Sequence, residues 1–227
     1  MSDPRLCLAL DGCTADTALG WIRRTTSVFS TFKIGLELFC GGGPELVRAC
    51  HAAGAQAIFL DLKLHDIPRT VARAIGALDL PGVRWLTVHA AGGADMLAEA
   101  QAAAERIGIG LLGVTVLTSL DAPGATQAGL VDLPEAVRLR TRLVATSGLA
   151  GVVSSVAEVA EIKEQYPSLL RVTPGIRWPD GPANDQRRVA DPISALAAGA
   201  DLLVIGRMVT EATDPEAALR RLIAEIA

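Results

Sequence analysis

Eight short apolar runs recur along the chain, at residues 5–10, 31–35, 56–61, 84–89, 111–116, 151–154, 170–173 and 201–205. Each is nearly continuous in apolar character, the pattern of parallel strands covered on both faces. Between them lie stretches whose apolar positions return every three to four residues, clearest at 94–106, 134–147, 155–166 and 215–226. That period predicts amphipathic helices with one buried face. The last of them opens on Asp214-Pro215, an N-cap residue followed by proline at the first helical position. Strand and helix alternating eight times predict an α/β fold of the (β/α)₈, or TIM-barrel, kind, with residues 1–227 forming one domain. A doubly wound open sheet is the rival, but it gathers ligand residues at one switch point. Here polar candidates trail most of the strands.

Composition agrees with that class. Half of the 227 residues are hydrophobic and a fifth are charged, which suits a large core and not a disordered chain. No apolar run approaches the roughly 20 residues of a membrane-spanning helix. The stretch RLCLAL, bracketed by Asp3 and Asp11, is too short for a secretory signal. A net charge of −4 without a basic stripe argues against a nucleic-acid partner. Cys7, Cys13, Cys40 and Cys50 lack paired metal or redox spacing. Buried, reduced thiols in a cytoplasmic protein are expected.

Several motifs carry less than they spell. Gly108 to Gly113 reads GxGxxG, but it follows a helical stretch and runs into a strand, the reverse of the order that places a pyrophosphate at a helix N-terminus. Gly41-Gly42-Gly43-Pro44 reads as a flexible loop ahead of a helix that starts with proline; exposed amides for an anion are its alternative use. His51 has no partner at metal-ligand spacing and reads as a surface or packing residue. Residues 174–191 form the longest irregular stretch, with 118–133 a weaker case. A loop of that length in a compact domain is usually a lid or a binding loop.

The chemistry concentrates at strand ends. Only three of the 21 basic residues are lysines, namely Lys33, Lys63 and Lys163. Where a generic positive charge serves, this chain uses arginine, so a lysine ending an apolar strand points to proton transfer. The third run continues Asp61-Leu62-Lys63-Leu64-His65-Asp66, and alternation puts Asp61 and Lys63 on one face, the barrel interior. Asp11 ends the first run and Lys33 belongs to the second. Asp11, Lys33, Asp61, Lys63 and Asp66 thus form an alternating charge set at the barrel end where active sites sit. An ion cluster that merely closes the barrel is the plain alternative. A lysine kept as ammonium among carboxylates is a poor Schiff-base nucleophile and a suitable proton donor to a carbanion. Carboxylates there would also repel a substrate carboxylate. At the far side, Gly206-Arg207 ends the eighth run, Arg177 opens the long loop and Gln186 lies near its close. Loops after strands seven and eight commonly bind phosphate in such barrels.

These residues, with DLKLHDIPRT (61–70), VTVLTS (114–119), TPGIR (173–177), NDQRRVADP (184–192) and VIGR (204–207), resemble the orotidine 5′-phosphate decarboxylase family, in order from Asp11 to Arg207. The resemblance implies decarboxylation of orotidine 5′-monophosphate to UMP, the last step of UMP synthesis, without metal or organic cofactor. It implies that Lys63 protonates C6 as carbon dioxide leaves, with Asp61, Asp66 and Lys33 completing the catalytic network. Asp11 and Lys33 would hold ribose hydroxyls, and Thr118 and Ser119 would lie by the pyrimidine. Arg177, Gln186, Gly206 and Arg207 would grip the phosphate, with the loop from Arg177 to Gln186 closing as a lid. Asp66, Ile67 and Thr70 would contribute to substrate binding, Asp66 and Thr70 reaching into a partner subunit's site in a homodimer.

Three other readings remain open at this level. Magnesium-dependent sugar-phosphate decarboxylases and synthases of the same superfamily share the Asp-x-Lys-x-x-Asp run, but they place a carboxylate metal ligand where this chain has Lys33. A silent nucleotide-binding barrel would have no need of the charge set. A lysine-dependent aldolase would form a trappable adduct on Lys63.

Overall fold

All eight apolar runs become parallel strands. In chain order they are β1 (Asp3–Ala9), β2 (Phe29–Gly35), β3 (Ala57–Leu64), β4 (Val83–His89), β5 (Gly110–Val114), β6 (Gly151–Val153), β7 (Leu170–Thr173) and β8 (Leu202–Ile205). Each pairs with the next, and β8 returns to β1 through Leu6↔Leu203, Cys7↔Val204 and Leu8↔Ile205, closing the barrel. The helices are α1 (Ala15–Thr25), α2 (Leu36–Ala52), α3 (Pro68–Gly76), α4 (Gly93–Ile107), α5 (Ala122–Gln127), α6 (Leu133–Thr146), α7 (Val156–Gln165), α8 (Pro192–Ala198), α9 (Arg207–Thr210) and α10 (Pro215–Ile226). This computed structural model describes residues 2–179 and 190–227.

Alternation along each strand sorts the core into two layers. Cys7, Phe59, Leu112, Val114, Val153, Val172 and Val204 fill the barrel interior. Their neighbours Leu6, Leu8, Ile58, Leu60, Leu86 and Leu203 face outward and pack with helix residues such as Ile22, Val47, Ile75, Leu97 and Leu222. Burying one such side chain stabilises the fold by about 1.5–3 kcal/mol. Aspartates start four of the helices. The carboxylates of Asp121, Asp132, Asp191 and Asp214 accept the N–H of Gly124, Glu135, Ser194 and Ala217 at 2.8–2.9 Å. Each of these helices carries proline in its first turn, where the missing N–H costs nothing. Among the described residues no helix is long and apolar enough to cross a membrane.

Four expectations change. The glycine stretch 41–43 is no loop. Helix α2 runs through it with a kink at Gly43 (φ 53°, ψ −151°), and Pro44 restarts the helix. A positive φ suits glycine, and proline has no N–H to lose there. The stretch 118–133 holds α5 rather than being irregular throughout. Strand β3 continues past residue 61 to Leu64. Of the cysteines, Cys7 and Cys50 are buried, Cys13 is half-buried and Cys40 is exposed on α2; all four are free thiols. Burial pushes the Cys7 thiol far above its usual range and Cys50 up to about 11, so both stay protonated.

The GxGxxG stretch is explained by packing. Gly108 is the left-handed cap of α4 (φ 71°). A Cβ on Gly110 would come within 2.3 Å of the Trp85 ring, and one on Gly113 within 2.2 Å of Val144. His51 is likewise a packing residue, its Nδ1–H donating to the Ala55 carbonyl at 3.0 Å.

At the end of the barrel away from the strand C-termini, Arg171 is only 6% exposed. Its Nη2 pairs with Asp201 at 2.7 Å, its Nε donates to the Gly199 carbonyl at 2.8 Å, and its Nη1 donates to the Leu169 carbonyl at 2.9 Å. One side chain thus ties the start of β7 to the turn before β8. Arg171→Ala leaves a carboxylate and two carbonyls short of donors and should lower unfolding stability by about 2–4 kcal/mol. Urea denaturation of the two proteins checks this, with an unchanged midpoint counting against it.

Candidate active site

The C-terminal ends of the strands open onto a cavity of about 540 Å³. Its floor is the top of the inner core, with Ala9, Phe59, Val114, Val153 and Val204. Above that apolar floor, β1, β2 and β3 deliver four charges in a row. The Lys33 ammonium contacts both Asp11 carboxylate oxygens at 2.8 Å and Asp61 Oδ2 at 3.6 Å. Lys63 Nζ meets Asp61 Oδ1 at 2.8 Å. The chain of contacts runs Asp11, Lys33, Asp61, Lys63, with the signs alternating.

Burial decides how these groups behave. The Lys33 side chain is only 8% exposed. Burial by itself would lower its pKa, but Asp61 and then Asp11 outweigh that and hold the ammonium above its ordinary range. Asp61 has the mirror situation. Burial would raise its carboxyl, while Lys33 and then Lys63 keep it below the usual carboxylate range. Both stay charged at neutral pH, each because of the other.

The backbone is adapted to the same purpose. Lys63 takes φ 48°, the sole positive φ at a non-glycine among the described residues, at a cost of about 1–2 kcal/mol. Gly35 ends β2 beside the network, where a Cβ would lie 2.5 Å from Asp11 Oδ1 and 3.3 Å from Lys33 Nζ. Buried Thr87 on β4 accepts the Lys63 N–H at 2.8 Å and donates to Asp61 Oδ1 at 3.0 Å.

Further round the rim, Thr118 and Ser119 after β5, Arg177 after β7, and Gly206 and Arg207 after β8 line the same cavity. The ends of the β7 connection are drawn together by an isolated bridge between Ile176 and Ala190, with Arg177 N–H donating to the Ala190 carbonyl at 2.9 Å. Two guanidinium groups and a balanced ion cluster lining one cavity suit a ligand with an anionic head and a separate reacting centre.

Of the residues singled out in the sequence, Asp11, Lys33, Asp61, Lys63, Thr118, Ser119, Arg177, Gly206 and Arg207 share this cavity. Asp66, Ile67 and Thr70 do not line it. They are exposed, and Asp66 accepts the Ile67 N–H at 2.7 Å. The five-charge set is therefore four charges within this chain. Strand β3 ends at Leu64, and Asp66 lies beyond it. Gln186 and the proposed lid segment lie outside the described residues. The sequence reading missed Gly35 and Thr87. The glycine closing Lys33-Ile34-Gly35 was a usable signal, whereas a threonine in a strand is ordinary.

A family model described as Orotidine 5′-phosphate decarboxylase / HUMPS family matches residues 4–222. The chain belongs to that family. Among curated relatives, the orotidine 5′-phosphate decarboxylase of Halorhodospira halophila (strain DSM 244 / SL1) is 47% identical over 229 residues, covering 99% of this chain and 96% of that one. The one from Anaeromyxobacter sp. (strain K) is 45% identical over 222 residues, covering 97% of each. The crystal structure of the Lactobacillus acidophilus orotidine 5′-phosphate decarboxylase aligns with a TM-score of 0.82 at 33% identity, covering 98% of this chain and 99% of that one. That from Pyrococcus horikoshii OT3, with a TM-score of 0.78 at 21% identity over 97% and 98% of the two chains, shows the fold alone.

Beside the charge network stands a histidine pair. The rings of His65 and His89 stack with centroids 5.4 Å apart. Burial, then the positive charges of Arg140, His65 and Lys63, push His89 down to about 4, so it is neutral at pH 7. Since the unfolded chain takes up this proton first, near pH 6.5, stability rises with pH between about 4 and 6.5. The wild type should lose about 1–2 kcal/mol on acidification across that window through His89, after discounting for solvent. His89→Asn should lose correspondingly less, as followed by urea midpoints at pH 7 and pH 4.5. Equal slopes in the two proteins would remove His89 as the source.

Proposed function

We propose that the chain decarboxylates orotidine 5′-monophosphate to UMP and carbon dioxide, in keeping with its similarity to orotidine 5′-phosphate decarboxylases. The observation that carries this reading is the Asp11–Lys33–Asp61–Lys63 row in one cavity with Arg177 and Arg207. The phosphate is held by Arg177, Gln186, Gly206 and Arg207, the ribose hydroxyls by Asp11 and Lys33, and the pyrimidine lies by Thr118 and Ser119. That pose brings the C6 carboxylate toward Asp61 and Lys63. Cleavage of the C6–carboxyl bond releases carbon dioxide and leaves its electron pair on C6. Lys63 Nζ supplies the proton that forms the new C6–H bond, and water returns a proton to the lysine. The fixed charges are in place before the carbanion develops, which is how a preorganised site lowers a barrier.

A homodimer follows from the same reading. The exposed Asp66, Ile67 and Thr70 would complete a partner's site, and Asp66 would restore the fifth charge across the interface. The protein would act in the cytoplasm.

The family description also covers sugar-phosphate enzymes for which the sequence reading carries a magnesium requirement. The donor set here does not fit a divalent ion at the β2 end. Lys33 already bonds both Asp11 oxygens at 2.8 Å, and its ammonium would repel a second cation.

The purified chain should convert orotidine 5′-monophosphate to UMP in excess chelator, followed by loss of the orotate absorbance. Inactivity there with recovery on adding magnesium would favour the sugar-phosphate branch, and UMP binding without turnover would favour a silent binder. Lys63→Ala should lower turnover about 100-fold or more, the lower range for a lost general acid, while UMP still binds in calorimetry; near-normal turnover would remove Lys63 as the donor. Arg207→Ala should weaken UMP binding by about 2–5 kcal/mol while leaving uridine affinity nearly unchanged; equal losses for both ligands would take the phosphate away from Arg207.

A further inference from the structure

We infer that Thr87 is a positioning residue for Lys63, fixing through one hydroxyl both the backbone that aims the proton donor and the carboxylate that pairs with it. The inference rests on the proposed role of Lys63 and adds to it a residue that touches no substrate. Its starting point is the pairing of β3 with β4. Leu60 faces Leu86 and Leu64 faces Val88. Between these pairs, Asp61, Leu62 and Lys63 on β3 stand against Thr87 alone on β4. Two extra residues are thus accommodated in β3 at the point where it delivers its charges. Bulges of this kind re-aim side chains and interrupt the ladder.

An interrupted ladder strands backbone donors, and a buried N–H without a partner costs about 1–3 kcal/mol. Thr87 prevents that at Lys63. An amide can only donate, so the threonine oxygen must accept from Lys63 N–H, at 2.8 Å. Its own hydrogen is then left for the ionised Asp61, which can only accept, at 3.0 Å. The oxygen it reaches, Asp61 Oδ1, is the one that contacts Lys63 Nζ at 2.8 Å. The circuit closes on itself. It runs from the Lys63 backbone through Thr87 and Asp61 to the tip of the Lys63 side chain, and so sets both ends of that lysine. Lys63 sits inside this ring with φ 48°, a conformation that persists only where the surroundings over-determine it. Thr87 itself is fully buried and does not line the cavity, so it acts through Lys63 and Asp61 and not on the ligand.

Thr87→Val keeps the shape and the strand preference but removes both hydrogen bonds, whereas Thr87→Ser keeps the hydroxyl. With orotidine 5′-monophosphate as substrate, the valine variant should lose about 10- to 100-fold in kcat, the scale of losing a hydrogen bond to a charged group. KM and the UMP affinity measured by calorimetry should stay within about threefold, and the serine variant should recover most of the loss. A valine variant with kcat within about twofold of the wild type overturns the inference. So does a serine variant that falls as far as valine, or a fall in UMP affinity that matches the fall in kcat, because each describes a residue that only supports the fold. Should valine fail to give a folded protein, Thr87→Ala is measured against the same outcomes. Failure of the wild type to decarboxylate the substrate at all would instead sink the proposed function, a result distinct from an active wild type matched by an active valine variant.

Discussion

The Lys33 ammonium is the constraint around which this barrel is arranged. A charge that is 8% exposed survives only if carboxylates are brought to it, since leaving it unpaired would cost several kcal/mol. Those carboxylates come from the adjacent strand ends, Asp11 after β1 and Asp61 on β3. Parallel neighbours in a closed barrel present their ends side by side on one rim, so one topology supplies both partners. Closure of the barrel and ionisation of the site are the same requirement seen at two scales. Asp61 is held ionised by the lysines on either side of it, so neither neutralisation of a carboxyl nor loss of a lysine proton offers an easy escape at neutral pH.

Strain is admitted where this network meets the backbone. Most of the barrel is regular, with apolar side chains alternating between the interior and the helices. At the end of β3 the regularity stops. Three residues oppose one, and a lysine takes a left-handed φ. The cost of about 1–2 kcal/mol is small beside the core packing below it, where Phe59, Val114 and Val204 close the floor. A rigid floor and a fully paired rim leave the charges little freedom to relax, and preorganisation requires that restraint.

Much of this was legible in the residues. Continuous apolar runs located every strand, because strands covered on both faces are apolar along most of their length. Aspartate ahead of proline marked helix starts, because the cap and the missing N–H act on the same turn. The scarcity of lysine separated Lys33 and Lys63 from a background of arginine. What was not legible depends on departures from a period. Asp66 was counted with the buried charges because it follows them so closely in sequence, but β3 ends at Leu64 and Asp66 is exposed beyond it. The glycines at 41–43 suggested a loop because their composition is permissive, but only Gly43 uses that freedom, and the helix continues on both sides. Thr87 gave no signal, since a threonine in a strand is explained by propensity alone. Its hydrogen bonds become visible only when the β3 bulge is set against it. Cys40 was expected inside because its neighbours are apolar, yet it lies on the solvent side of α2.

The two halves of the rim differ in a way that divides the work of the site. Strands β1 to β4 hold their charges through direct, mutually satisfied contacts, and the connections that follow Asp11 and Gly35 enter helices within a few residues. The other half of the rim carries Thr118 and Ser119 after β5, Arg177 after β7, and Arg207 at the start of α9. Moving the first half would separate buried ion pairs. The second half stands outside that row, with Arg177 just after β7 and Arg207 opening the short helix α9. Under the proposed function, the groups that hold the phosphate are thus separate from the buried row that holds the proton donor. Remote binding energy can then be used to assemble the site around a reacting centre that does not itself have to move.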